Sequence, residues 1–386
     1  MKDKLKEIKG IFRKKGFIYK DKLGAGGFAD VYIAENNKRD YAVKIQLASD
    51  KKKFEKIKNE CVLCKLLNGR NIIKTHAIYQ DKLSSKETLF SIVMDKTLYM
   101  DMKFFFQYLL ERNLIRVYMN NKNFPWLYIM NKNILIFFIN QIVEGLKILY
   151  EHNYVHRDIK AENILIAQSF IVKLCDFGIV VKGKPNFKLG SSTWCYEGPE
   201  YYGNKIIEKY EDCFKIDYYS IGLIIYYVIF RKNLVNRKFK NIIDLNLLCK
   251  CLDKADKNIR LHEFDEEETK DMGDNNGNNN IEVKKFDRNK KVKEIKSDSN
   301  SENEEKKNGI QCIDKGIGKL IRKLISKNIS DRPNIFEILE NESLNKNKQR
   351  INKIYSINQF LEIKLFIEFQ KPLIYRKKRK KYKFIS

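Results

Sequence analysis

Between Gly16 and Val93 the apolar pattern reads as strands plus one helix, with the alternation of a half-buried strand at Val31 and Ile33. FIYKDKL and DVYIAEN flank a glycine-rich stretch and predict a hairpin, and DYAVKIQL predicts a third strand. Phe54, Ile57, Cys61 and Cys64 then fall at helical spacing, and LFSIVM, Leu89 to Met94, reads as a buried strand. Beyond Asp95 the period lengthens. Asn133 to Asn153, NILIFFINQIVEGLKILYEHN, carries a long apolar face. NILIA and IVKLCDFG bracket a second predicted hairpin. IDYYSIGLIIYYVIF is apolar nearly all round, as a buried helix is. Ile317, Leu320, Ile321, Leu324 and Ile325 form one stripe on a last helix. Strands first and helices afterwards predict an α+β fold with a small β-rich part and a larger helical part.

Two segments break the pattern. Residues 262–308 include DEEETKDMGDNNGNNN and SDSNSENEEKKNG, too polar to bury a core, and read as a disordered insertion. It could carry a docking partner's motif or phosphosites such as Ser297, Ser299 and Ser301. Residues 345–386 form a basic tail ending in YRKKRKKYK, which fits a nuclear import signal, a nucleic-acid patch or a plain solvated terminus. Residues 1–15 read as a basic N-terminal extension without the apolar core of a signal peptide.

Composition adds limits rather than a function. The 386 residues are 43% hydrophobic, enough for one large or two ordinary domains, and no apolar run is long enough to span a bilayer. The expected setting is reducing and intracellular, cytoplasmic or nuclear, with no membrane partner. Cys61-x-x-Cys64 has metal-like spacing, but only His76 lies near it, so the pair reads as small apolar residues on a helix. The net charge of +27 would draw phosphate-rich or acidic partners, yet lysine is abundant throughout, so nucleic acid is not the expected partner.

The chemistry begins at KLGAGGFADV, Lys22 to Val31. A dinucleotide fingerprint requires a helix after its glycines. Here a β-like segment follows, which suits a hairpin whose backbone N–H groups lie over phosphates. YVHRDIKAENILI is more specific. Asp158 can accept a proton from an alcohol, Asn163 offers an amide oxygen to a hard cation, and Lys160 brings positive charge to a migrating phosphoryl group. Asp176, opening DFG after a short apolar run, supplies a second oxygen ligand.

Together these motifs resemble those of the eukaryotic protein kinases, from about Gly16 to Leu344 without the insertion. The resemblance implies a bilobal fold with an N-lobe over 16–94, a C-lobe over 95–344 and ATP in the cleft. It implies that Leu23, Gly24, Gly26, Val31 and Ala42 surround the nucleotide. Lys44 would hold its phosphates with Glu60 as ion-pair partner. Asp158 would be the proton acceptor with Lys160 beside it, and Asn163 and Asp176 would be ligands of Mg2+, with Mn2+ as an alternative. Met94 would stand behind the nucleotide and Asp95 would open the hinge. Glu200 in EGPE, Asp217 in DYYSIG and Arg332 in SDRPN correspond to structural elements of the family, with Gly198 and Tyr219 in place of its usual Ala and Trp. Lys160 and Thr193 are similar to the serine/threonine class. Arg157 would receive a phosphate on Ser191 or Ser192, ordering the segment from Gly178 to Pro199, the alternative being a loop ordered without one.

The implied activity is transfer of the γ-phosphoryl group of ATP to serine or threonine hydroxyls of protein substrates, in signalling or cell-cycle control. The rival readings are a pseudokinase scaffold on the same fold, a small-molecule kinase and a basic nucleic-acid-binding protein. The intact set of Lys44, Glu60, Asp158, Asn163 and Asp176 favours the enzyme over the scaffold.

Overall fold

Alternation sorts the strand residues onto the two faces of one sheet. In the computed structural model, which describes residues 2–25, 29–97, 101–111, 132–190, 192–201, 206–230 and 315–345, that sheet has five antiparallel strands. They are β1 (Ile18–Ala25), β2 (Asp30–Asn36), β3 (Arg39–Ala48), β4 (Thr75–Lys82) and β5 (Thr88–Asp95), in the spatial order β1-β2-β3-β5-β4. β4 was not anticipated, because its alternation THAIYQDK is mostly polar.

Register then decides which side chains reach the cleft. Val31 pairs with Lys44, and Lys44 with Ile92, on one face. Tyr32, Ala34, Val43, Ile45, Leu89 and Val93 form a separate apolar cluster on the other. The cluster is completed by α1 (Lys2–Lys14), through Ile8 and Phe12. The segment expected only as a basic extension is thus a helix docked on the sheet. Glu7 accepts hydrogen bonds from the Ser84 N–H and hydroxyl, at 2.8 and 3.0 Å, and Lys15 pairs with Asp81 at 2.9 Å.

α2 (Lys51–Leu66) covers the cleft-side face. Asp50 caps it, accepting the Lys53 N–H, and Ile57, Glu60, Cys61, Leu63 and Cys64 are buried. Burial raises both thiols, Cys61 to about 11. Among the described residues no group of three or more His, Cys, Asp or Glu could hold a metal ion. Cys61 and Cys64 are packing residues.

The helical part is built on α3 (Met102–Glu111), α4 (Lys132–Glu151) and α5 (Lys215–Phe230), followed by α6 (Lys315–Leu324) and α7 (Ile335–Leu339). α5 is buried from Ile216 to Ile225. Leu320, Ile321, Leu324 and Ile325 are buried as the stripe predicts. Two-residue strands β6 (Tyr154–Val155) and β9 (Val181–Lys182) pair with each other. β7 (Ile164–Ile166) and β8 (Val172–Leu174) make the predicted hairpin, and β10 (Phe187–Lys188) pairs with β11 (Ile206–Ile207). The sheet part is fastened to this hairpin through main-chain bonds: Ile73 N–H donates to the Leu174 carbonyl and Leu174 N–H to that of Asn71, both 2.9 Å. Among the described residues no helix is long and apolar enough to cross a membrane. The 262–308 insertion and the tail beyond Asn345 lie outside the described residues.

Candidate active site

The loops at the ends of β6, β7 and β8 bring the charged residues of the two motifs together. Asp158 lies between β6 and β7, its carboxylate surrounded by donors. Lys160 Nζ donates to Oδ2 at 2.6 Å, Thr193 Oγ1 to Oδ1 at 2.5 Å and Asn163 Nδ2 to Oδ2 at 2.9 Å. Lys160 also reaches Thr193 Oγ1 at 2.9 Å. Residues 35 positions apart in the chain are therefore joined by one hydroxyl. Thr193 has two jobs: it orients one oxygen of Asp158, and it ties the segment before Glu200 to the loop that carries Asp158.

The second cluster sits where β3, α2 and the loop after β8 meet. Lys44 Nζ donates to Glu60 Oε1 at 2.6 Å and to Asp176 Oδ1 at 2.7 Å. Gln46, two residues along the same strand face, donates to Glu60 Oε2 at 3.0 Å. Both oxygens of a carboxylate that is 3% exposed are thus satisfied, as a buried charge requires. Burial pushes the Lys44 ammonium down, but Glu60 and Asp176 outweigh it and hold its pKa above the ordinary lysine value. Burial pushes the Asp176 carboxyl up, and Lys44 outweighs that in turn and holds it below the usual carboxylate range. Lys44 and Asp176 are therefore both charged near neutrality. Asp176 takes a left-handed backbone, φ 66°, which turns its carboxylate toward Lys44.

The residues fit a divalent cation of the hard, oxygen-seeking kind. Asn163 commits its amide nitrogen to the Asp158 carbonyl and carboxylate, both at 2.9 Å, which leaves the amide oxygen as its remaining donor atom. Asp176 commits Oδ1 to Lys44 and keeps Oδ2. Two protein oxygens, completed by phosphate and water, are the usual provision for Mg2+. Gly24 lies in β1, paired with Val31 of β2. Gly26 lies outside the described residues, as does Ser191. Leu23 and Val31 are half-buried and Ala42 is buried, pairing with Met94. Asp95 ends β5 with its carboxylate held by Arg39 at 2.8 Å and His76 at 2.6 Å.

Deeper residues hold the loop that carries Asp158. Asp217, at the start of α5, accepts the His156 N–H at 2.7 Å and the Arg157 N–H at 2.8 Å. Arg157 has φ 66°, and the two bonds secure that turn. Glu200 and Arg332 form a buried bidentate pair at 2.8 and 2.6 Å, and the guanidinium lies 4.5 Å from the ring centre of Tyr219. Ser192 donates its hydroxyl to the Arg157 carbonyl at 2.7 Å. That hydroxyl is engaged inside the loop in the unphosphorylated chain.

Sequence reasoning missed Gln46, although its place two residues after Lys44 on one strand was a usable signal. It also missed Asp101, which caps α3 by accepting the Phe104 N–H at 2.8 Å, and the 2.7 Å pair of Lys103 with Glu162. Neither had a local signature, since α3 lies in an apolar stretch of ambiguous register.

A family model described as the protein kinase domain matches residues 17–344. The serine/threonine-protein kinase SIK1 of Rattus norvegicus is 32% identical over 215 residues, 54% of this chain and 24% of that protein. The meiosis-specific serine/threonine-protein kinase mek1 of Schizosaccharomyces pombe is 32% identical over 222 residues, 53% of this chain and 44% of its own length. MAP3K epsilon protein kinase 2 of Arabidopsis thaliana is 28% identical over 214 residues, 54% of this chain and 14% of that one. The matched stretch is thus less than half the length of each of these relatives.

Proposed function

Since the chain belongs to the protein kinase family, we propose that it transfers the γ-phosphoryl group of ATP to serine and threonine hydroxyls of protein substrates in intracellular signalling or cell-cycle control. The observation that carries this reading is the held carboxylate of Asp158, whose two oxygens accept three hydrogen bonds and keep a lone pair for a further donor. Three donors hold it in one orientation, and one of them, Lys160, is a cation positioned beside the carboxylate. Phosphoryl transfer asks for positioning and charge neutralisation more than covalent help. Asp158 would orient the incoming hydroxyl and take its proton late. Lys160 would steady the charge on the moving phosphoryl group, and Lys44 would hold the α- and β-phosphates. Asn163 and Asp176 would hold Mg2+, or Mn2+ in its place, which when bound neutralises phosphate charge. The serine/threonine assignment is supported by Thr193 and Lys160 and by the names of the relatives.

Asp158→Asn tests it. The amide keeps the size of the side chain but cannot accept the proton, so transfer of label from γ-labelled ATP to protein substrates should fall by several orders of magnitude. Phosphoamino-acid analysis of the wild-type product should give phosphoserine and phosphothreonine. Undiminished transfer by the variant would overturn the role of Asp158, and phosphotyrosine as the main product would overturn the class.

A further inference from the structure

The segment between Asp176 and Glu200 carries Thr193, and so the orientation of Asp158 depends on how that segment is held. Several contacts among the described residues hold it. The Gly183 N–H donates to the Asn153 carbonyl at 2.8 Å, and the Asn186 N–H to that of Glu208 at 3.2 Å. Lys184 offers its carbonyl to the Cys213 thiol at 3.1 Å. Phe187 is 2% exposed within the main apolar core, and its strand β10 pairs with β11, Phe187 opposite Ile207 and Lys188 opposite Ile206. Leu189 packs against the same core.

A further hold is Arg157. Its guanidinium donates through Nε and Nη2 to the Ile179 carbonyl. Its Nη1 lies so close to Gly190 that a Cβ there would stand 2.5 Å away. A guanidinium end can usually swing aside, but this one is fixed by two bonds to one carbonyl. Glycine at 190 is what lets the main chain lie against it. The cation expected to await a phosphate is already the clamp of the segment, and the Ser192 hydroxyl is bound to the carbonyl of the same residue.

We infer that Phe187 and Gly190 are positioning residues that latch this segment onto Arg157 and the core, so that Asp158 is oriented without a phosphate on Ser191 or Ser192. The inference builds on the kinase reading for its catalytic consequence, but the latch itself can be measured apart from catalysis.

The experiment uses the full chain, treated with phosphatase until mass spectrometry finds no phosphate on residues 183–201. Its rate on a protein substrate should match that of the untreated chain, and the amides of Gly183 and Asn186 should be protected from hydrogen exchange. Phe187→Ala should remove that protection. Gly190→Ala should lower kcat by up to about 100-fold, as displacement of reacting groups by an ångström does, with KM for ATP unchanged because Lys44 and Asp176 are untouched. In an Arg157→Ala background the same Gly190→Ala change should cost nothing further, a non-additivity that general destabilisation would not produce. The proposal is overturned if the treated chain is slow and recovers only when Ser191 or Ser192 is phosphorylated. It is also overturned if the Gly183 and Asn186 amides exchange freely in the treated chain. Protected amides in a chain that transfers no phosphate in either form would uphold the latch and refute the kinase reading instead.

Discussion

A single carboxyl, that of Asp217, illustrates what burial does to chemistry near the loop that carries Asp158. It is 3% exposed, and burial raises its pKa to about 7, against the pull of the His156 and Arg157 N–H groups and the Arg157 guanidinium; the charge of Asp158 adds to the rise. An aspartate in an unfolded chain titrates near ~3.9. The folded state therefore holds the proton more tightly, so the stabilisation from this group is complete below about pH 4 and is lost as pH rises through about 7. His156 works in the opposite sense. Burial lowers its pKa, so the unfolded chain takes up the proton first and stability falls as pH drops below about 6.5. Comparison of the wild type with Asp217→Asn isolates the first effect. Denaturant unfolding at about pH 6 and about pH 8 should show the wild type losing more stability over that interval than the variant. Parallel losses would mean that Asp217 does not titrate there. The position of Asp217 was legible from DYYSIG, but its burial was not, because the two main-chain donors that make burial tolerable come from His156 and Arg157, some 60 residues earlier.

Among the elements, legibility followed the length of the periodic run. α2, α4, α5 and the strands β1, β2, β3 and β5 have enough residues for their period to show, and the β7–β8 hairpin was marked by apolar runs on both sides of its turn. The pairs β6–β9 and β10–β11 have two residues per strand, so no period exists; they form because helices and loops distant in sequence bring them together. α1 failed for another reason. Its lysines suggest a solvated terminus, yet Leu5, Ile8 and Phe12 recur at helical spacing beneath them. Long lysine side chains can cover apolar surface while their charge stays in water, and Lys9 does so 4.1 Å from the Tyr19 ring centre. Phe12, 3% exposed, is the deepest contact of α1 with the sheet. Phe12→Ala should therefore cost about 3–5 kcal/mol, the usual range for emptying a buried phenylalanine site. The check is the shift in denaturant midpoint. A loss below about 1 kcal/mol, the level of a surface substitution, would show that α1 does not hold the sheet in solution.

At the scale of the whole molecule, the Lys44 cluster is a junction, and if it is the nucleotide site we propose, its occupancy should be felt throughout. Lys44 joins β3 to Glu60 on α2 and to Asp176 after β8, the second partner lying 132 residues away. A ligand held there contacts both the sheet part and the helical part and binds the folded chain alone. Folding is then stabilised by mass action, by about 2.7 kcal/mol at a concentration 100 times Kd. ATP with Mg2+ should accordingly raise the unfolding temperature of the wild type. Lys44→Met should abolish most of that rise, since it removes the cation proposed to face the phosphates and leaves Glu60, among the described residues, with the Gln46 amide as its side-chain donor. Asp158→Asn should keep the rise and lose only the transfer, because in the proposed reading Asp158 would meet the substrate hydroxyl rather than the nucleotide. The two variants together separate binding from chemistry. A chain in which ATP raises the unfolding temperature while wild type and Asp158→Asn are equally inactive would be a nucleotide-binding scaffold. A chain in which ATP shifts nothing, with Lys44 intact, would show that the Lys44, Glu60 and Asp176 cluster serves only to join the two parts of the fold.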